Sequence, residues 1–123
     1  HPEDAVLSQM DQEIRDGVEK ISARNNLTGK LEQIFYYAPV PFDQSCVDAV
    51  QASADQCGYS SREIVAGAGH DACFIAQAAP TSMVFIPCVD GISHNETENI
   101  KPEWSTAGAN VMLNAILDKA GTI

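Results

Sequence analysis

Two prolines within three residues, in Ala38-Pro39-Val40-Pro41-Phe42, constrain this chain more than any other feature. Each proline fixes φ and lacks an N–H, so the stretch can continue neither a helix nor a central strand. It reads as a stiff connector, with one piece at residues 1–38 and another at 39–123. In the first piece, apolar residues recur at Val6, Leu7, Met10, Ile14, Val18 and Ile21, the spacing of one helical face. Pro2, Glu3 and Asp4 suit the start of that helix, and Arg24, Asn25 and Asn26 suit its end. Thr28-Gly29 then turns into an expected strand, Lys30 to Tyr37, rich in β-branched and aromatic residues.

Beyond the prolines, Asp43 can cap a helix running to about Cys57, with Val47, Val50 and Ala54 on its buried side and Gly58 closing it. A short strand is expected near Arg62 to Val65, then a glycine-containing loop and a helix from about Ala72 to Ala79. Ser82 to Ile86 is a continuous apolar run, as in a strand covered on both faces. A polar loop, Asp90 to Glu96, leads to a last helix from about Pro102 to Ala120, with proline well placed in its first turn. This alternation of helix and strand predicts an α/β layer with parallel strands. Two strands make a poor sheet by themselves, so each piece is expected to belong to something larger.

Charge and cysteine usage narrow the function classes. A formal net charge of -10, from 17 acidic and 7 basic residues, repels phosphate backbones and anionic headgroups, so neither nucleic acid nor a membrane surface is an expected partner. No apolar stretch approaches the roughly 18–20 residues of a membrane span. Cys46, Cys57, Cys73 and Cys88 include no CxxC pair and match no zinc-module spacing; they read as reduced core residues of a cytoplasmic protein. The sequons at Asn26 and Asn95 carry weight only in a secreted protein.

In α/β sheets, chemistry gathers in loops beyond the C-terminal ends of strands. Two loops fit that description, Gly67-Ala68-Gly69-His70-Asp71 and Gly91-Ile92-Ser93-His94-Asn95, and each holds one internal histidine. A glycine loop can cradle phosphate, but neither the dinucleotide fingerprint nor a P-loop lysine follows this one. His70 beside Asp71 is open to a structural reading as well as a catalytic one. No second metal ligand is read two to four residues from His94, so spacing alone leaves its role open too. Residue types and spacing carry the argument no further than an α/β piece with two loop histidines.

The blocks Val-Ala-Gly-Ala-Gly-His-Asp-Ala, Ala-Pro-Thr-Ser-Met-Val-Phe-Ile-Pro-Cys and Asp-Gly-Ile-Ser-His-Asn-Glu, within residues 65–100, resemble the hydantoinase/carbamoylase family of amidases. That family includes N-carbamoyl-L-amino-acid hydrolase, β-ureidopropionase and allantoate amidohydrolase, in the wider group of two-metal aminoacylases and carboxypeptidases. The opening His-Pro-Glu-Asp-Ala-Val-Leu and the later Pro-Val-Pro-Phe-Asp extend the resemblance over the whole chain. It implies that residues 1–38 are the last helix and strand of an α+β lid that also mediates homodimerisation. Residues 39–123 would be the C-terminal segment of the metal-binding catalytic domain.

The resemblance further implies two divalent metal ions, zinc first, with manganese, cobalt or nickel as alternatives. His94 matches the family's last metal ligand. His70 and Gly69 fall at the substrate, and Asp71 could orient a neighbouring group. The general-base glutamate and the other ligands are expected upstream, in a missing N-terminal part of the same protein, so the chain alone is expected to be inactive. The implied reaction is metal-assisted hydrolysis of linear C–N bonds in N-carbamoyl amino acids or related ureido acids. The alternatives are the same chemistry on allantoate or N-acyl amino acids, a split enzyme, and a non-catalytic dimerisation or binding module.

Overall fold

The computed structural model describes residues 1–121 and divides the chain into two compact units. The first unit comprises His1–Pro41 with Val65–Gly67; the second comprises Phe42–Ile64 and the chain from Ala68 on. Residues 122 and 123, at the end of the expected catalytic segment, lie outside the described residues.

Helix α1, Asp4–Arg24, forms most of the first unit. It begins beside Glu3, carries Asp4 in its first turn and ends on Arg24, charges that complement the helix dipole at both ends. An i, i+4 pair, Arg15 to Asp11 at 2.7 Å, and amide bridges from Gln9 to Glu13 and Gln12 to Asp16 line its polar side. The helix stops where Asn26 enters the left-handed region at φ 50, letting the Leu27 N–H return to the Ser22 carbonyl at 2.9 Å. Gly29 then passes so close to α1 that a Cβ there would lie 2.3 Å from Ser22 Oγ. A side chain at Gly29 would require the Ser22 hydroxyl and Val18 to give way. The expected apolar stripe exists, but Met10, Ile14 and Ile21 on it are exposed and no residue of α1 is buried.

The second unit is organised by α2, Gln44–Gln56, packed on α4, Pro102–Ala120. Asp43 caps α2 as its sequence position suggests, its carboxylate accepting the Cys46 N–H at 3.1 Å and the Ser45 hydroxyl at 2.5 Å. These two donors, the Ser45 hydroxyl first, hold the Asp43 carboxyl below the usual aspartate range, against a small opposing effect of burial. A depressed folded-state value means that the cap stabilises α2 above the ordinary aspartate pKa and fails as pH falls through the lowered one. Asp43→Asn should therefore flatten the acid limb of Tm between neutral pH and about pH 3, while Asp43→Ala lowers Tm by a few degrees at neutral pH. Thermal melts of the intact protein across that range check both.

Small residues let α2 and α4 approach: Ala49, Ser53 and Ala54 from one, Val111 and Ala115 from the other, all buried. The Ser53 hydroxyl spends its buried proton on the Val111 carbonyl at 2.8 Å. Asn114 donates to Cys57 Sγ at 3.2 Å and Asn110 to the Tyr59 hydroxyl at 3.2 Å, tying the end of α2 to the same helix. Gly58, at φ 72, turns the chain out of α2, as expected from its position. Between these helices lie α3, Ala72–Ile75, continued by hydrogen-bonded turns to Ala79, and a 3₁₀ turn at Val89–Gly91. The helix expected at 72–79 thus keeps regular geometry for its first turn only.

The structure departs from the α/β expectation: it is helical, and among the described residues there is no strand. Lys30–Tyr37, Arg62–Val65 and Ser82–Ile86 form no ladder. A strand is defined by a hydrogen-bonded neighbour about 4.8 Å away, and among the described residues none of these segments makes such a ladder. β-propensity in these segments reflects side chains suited to a sheet, and it cannot create the partner strand. The apolar side chains of the first two consequently stand open, with Ile34 84% and Phe35 70% exposed. The outer face of α4, carrying Met112, Leu113, Ile116 and Leu117, is open as well. Purified alone, these 123 residues should self-associate, and light scattering after gel filtration checks this. A monodisperse monomer with a sharp melt would contradict it.

Candidate active site

The two histidine loops flank one extended segment of the second unit. Ser82–Ile86 reaches α4 where Gly108 leaves room: a Cβ on that glycine would sit 2.5 Å from Ile86 Cγ2. Asp43 N–H donates to the Thr81 carbonyl at 3.0 Å, so the start of the same segment is pinned to the cap of α2. Met83, Val84 and Ile86 are half-buried, whereas Phe85 is largely exposed.

His70 packs on that segment. Its ring meets Phe85 edge-on, with centroids 5.3 Å apart and planes at 68°. Its carbonyl accepts the Cys73 N–H at 2.9 Å, which starts α3. Asp71 stands at the cap position of α3, and its carbonyl takes the Phe74 and Ile75 N–H groups while its carboxylate caps nothing. Gly69 lies exposed, outside the left-handed region, with open space where a Cβ would be. A side chain would therefore fit at Gly69 in this fold, and the backbone alone does not explain the glycine.

His94 lies on the loop that follows the same segment. The Val89 N–H donates to the Asn99 carbonyl at 2.8 Å and closes the neck of this loop. Asp90 at φ 55 and Gly91 at φ 69 reverse the chain. Asn95 accepts the Thr97 N–H at 3.0 Å and its hydroxyl at 2.9 Å, and its carbonyl takes the Glu98 N–H at 2.9 Å. His94 itself is in the left-handed region, at φ 55. That conformation costs a residue with a Cβ about 1–2 kcal/mol. Its N–H donates to Glu98 Oε2 at 2.7 Å. A bond to a carboxylate contributes about 1.5–3 kcal/mol when shielded and less in the open, where this one lies, so it offsets part of that cost.

Sequence reasoning passed over Glu98. The reading that no second group accompanies His94 at two to four residues overlooked this carboxylate, which stands four residues on and grips the backbone. The other oxygen of Glu98 lies 3.7 Å from Cys88 Sγ at the base of the loop. Burial first, then the charge of Glu98 and this hydrogen bond, push the Cys88 thiol above its usual range. All four cysteines are free and half-buried, less enclosed than core residues would be.

His70 and His94 thus attach to one segment, His70 against Phe85 and His94 just beyond it, and no hydrogen bond or ring contact joins them among the described residues. Among those residues, too, no group of three or more His, Cys, Asp or Glu side chains converges to hold a metal ion. The donor chemistry at His94 fits a metal site as one ligand: an exposed imidazole on a loop whose backbone is fixed on both sides.

Two loop histidines on one apolar segment define no class of protein by themselves, and the family match supplies it. Residues 5–118 match Peptidase family M20/M25/M40, and the chain belongs to that family. Within it the chain resembles the hydantoinase/carbamoylase amidases, as its Gly-Ala-Gly-His-Asp-Ala and Gly-Ile-Ser-His-Asn-Glu blocks imply. A solved hydantoinase/carbamoylase-family amidase from Burkholderia multivorans is 63% identical, with a TM-score of 0.93 over 98% of this chain and 29% of that one. The N-carbamoyl-L-amino-acid amidohydrolase of Rhizobium meliloti is 43% identical over 119 residues, 97% of this chain and 29% of that protein. The allantoate amidohydrolase of Bacillus subtilis (strain 168) is 32% identical over 98 residues, 80% of this chain and 24% of its own length. The chain spans less than a third of each of these proteins. No helix among its described residues is long and apolar enough to cross a membrane.

Proposed function

We propose that the intact protein is a metal-dependent amidohydrolase that cleaves the linear C–N bond of N-carbamoyl amino acids or related ureido acids. The observation that carries this reading is the 43% identity, over 97% of the chain, with an N-carbamoyl-L-amino-acid amidohydrolase. In it His94 contributes one imidazole to a site for divalent ions, zinc first, whose other ligands and general-base glutamate come from the rest of the protein. Bound there, the ions would supply a hydroxide nucleophile at neutral pH and polarise the ureido carbonyl.

The chain's own residues hold and orient. Glu98 and the closed neck at Val89 and Asn99 keep the His94 loop in one conformation. Phe85 supports the edge of the His70 ring, which leaves a ring nitrogen to hydrogen-bond a polar substrate group. Gly69, with no side chain, keeps the approach beside His70 open, and Asp71 anchors the turn that follows. On this reading the 123-residue chain, which supplies one ligand, turns over nothing by itself.

The first unit is read as the end of the lid, with its open Ile34–Tyr37 stretch as a strand awaiting a neighbour in the whole protein, where the α/β architecture would be completed. Dimerisation through that lid and a cytoplasmic setting belong to the same reading. A second substrate assignment, allantoate, is favoured by the 32% identity to the Bacillus subtilis enzyme. Hydrolysis by the intact, metal-loaded protein separates these cases when followed as ammonia from N-carbamoyl amino acids and allantoate, and as free amino acid from N-acetyl amino acids and dipeptides. Ureido acids should be hydrolysed with kcat/KM at least about tenfold above the N-acetyl compounds and dipeptides. Equal turnover of dipeptides, or none of any ureido acid, would contradict the proposal.

A further inference from the structure

We propose that Glu98 is the positioning residue of the His94 loop, its carboxylate bridging the His94 N–H and the Cys88 thiol and so holding His94 in its left-handed conformation. The proposal rests on reading His94 as a metal ligand and deepens it. Three observations carry it. Glu98 Oε2 lies 2.7 Å from the His94 nitrogen, and Oε1 lies 3.7 Å from Cys88 Sγ, so one side chain ties the tip of the loop to its base. His94 is one of three residues other than glycine with positive φ among those described, the others being Asn26 and Asp90. It needs such an anchor because its backbone would otherwise relax to the extended or helical region. Finally, Glu98 is itself fixed through its own N–H to the Asn95 carbonyl at 2.9 Å, one residue before the Val89–Asn99 closure.

A carboxylate so close to a proposed ligand could instead act through its charge or bind the ion directly. The Glu98→Ala and Glu98→Gln variants of the intact protein distinguish these roles, because a glutamine carbonyl can still accept the His94 N–H without charge. The first readout is hydrogen exchange at the His94 amide in metal-free protein, which requires neither turnover nor a metal site. The second is zinc affinity by competition with a chelator. For Glu98→Ala the expected results are about tenfold faster exchange at His94 and about 10–100-fold weaker zinc binding. Glu98→Gln should recover most of both, with Tm of the two variants within a few degrees of the parent. Cys88→Ala, which leaves the His94 bond in place, should change zinc affinity by less than about threefold.

Unchanged His94 exchange in Glu98→Ala would overturn the proposal. So would a glutamine variant that binds zinc as poorly as the alanine one, since that outcome assigns Glu98 to charge or direct ligation. Should Glu98→Ala fail to fold, the exchange comparison between parent and Glu98→Gln still decides: strong loss of protection with glutamine contradicts positioning. If His94→Ala leaves zinc affinity unchanged, the functional reading fails while the exchange result continues to test the clamp.

Discussion

Replacing His94 with alanine in the intact protein is expected to lower kcat/KM on a ureido substrate by roughly three powers of ten. The size follows from what one ligand secures. Polarisation of the carbonyl and generation of hydroxide are together worth several kcal/mol of transition-state stabilisation, and each 1.36 kcal/mol is about a factor of ten. His94 is exposed and its imidazole supports no packing, so the substitution should leave Tm within a few degrees of the parent. The pairing of intact fold with lost turnover makes the result informative. Steady-state kinetics and a thermal melt on the same preparation check it, and unchanged specific activity would reject the catalytic reading of this loop. His70→Ala should act differently. It removes the ring that leans on Phe85 and should raise KM more than it lowers kcat, as expected of a group that binds substrate without joining the chemistry.

The second large effect is on stability, at Gly108. In this helix interior, glycine sits at a cost of about 1 kcal/mol relative to alanine, yet a Cβ there would come within 2.5 Å of Ile86 Cγ2. Isoleucine is stiff at χ1, so it cannot swing its branched end aside cheaply. Gly108→Val is therefore expected to destabilise the second unit by about 1–3 kcal/mol, through overpacking against the segment that carries the two histidine loops. The double variant Gly108→Ala, Ile86→Ala should lose less than the sum of its single changes, because the added methyl fills space that Ile86 vacates. Denaturant unfolding of the four proteins measures that coupling. Strict additivity would mean that Ile86 and Gly108 do not meet in solution.

These two residues also illustrate what the sequence could and could not convey. Helices α1, α2 and α4 were legible because their signals are local: the apolar spacing and terminal residues of α1, the Asp43 cap, and Pro102 in the first turn of α4. The last of these matches its expected bounds, Pro102 to Ala120. The expected strands were not realised because pairing is a property of two segments, and Lys30–Tyr37 or Ser82–Ile86 shows only one side of it. At the site, the two histidines stood out as isolated polar residues beside glycines. Glu98 did not, because its role depends on a loop that closes on itself and on a left-handed His94, neither of which leaves a mark in residue type. Asp90 hides a reversal in the same way, at a position where glycine would have announced it. Nor does residue type show that Ile86 lies against Gly108, since that contact joins distant parts of the chain.

The central claim is that this chain contributes one ligand to a metal-dependent ureido-acid hydrolase, and its most direct test is metal content measured beside turnover. The intact protein should carry about two divalent ions per chain, lose hydrolysis of an N-carbamoyl amino acid on chelation and regain it when zinc or manganese is restored, with His94→Ala retaining less metal under the same dialysis. Hydrolysis indifferent to chelation, or a His94→Ala protein with the parent's full metal content and rate, would contradict the claim.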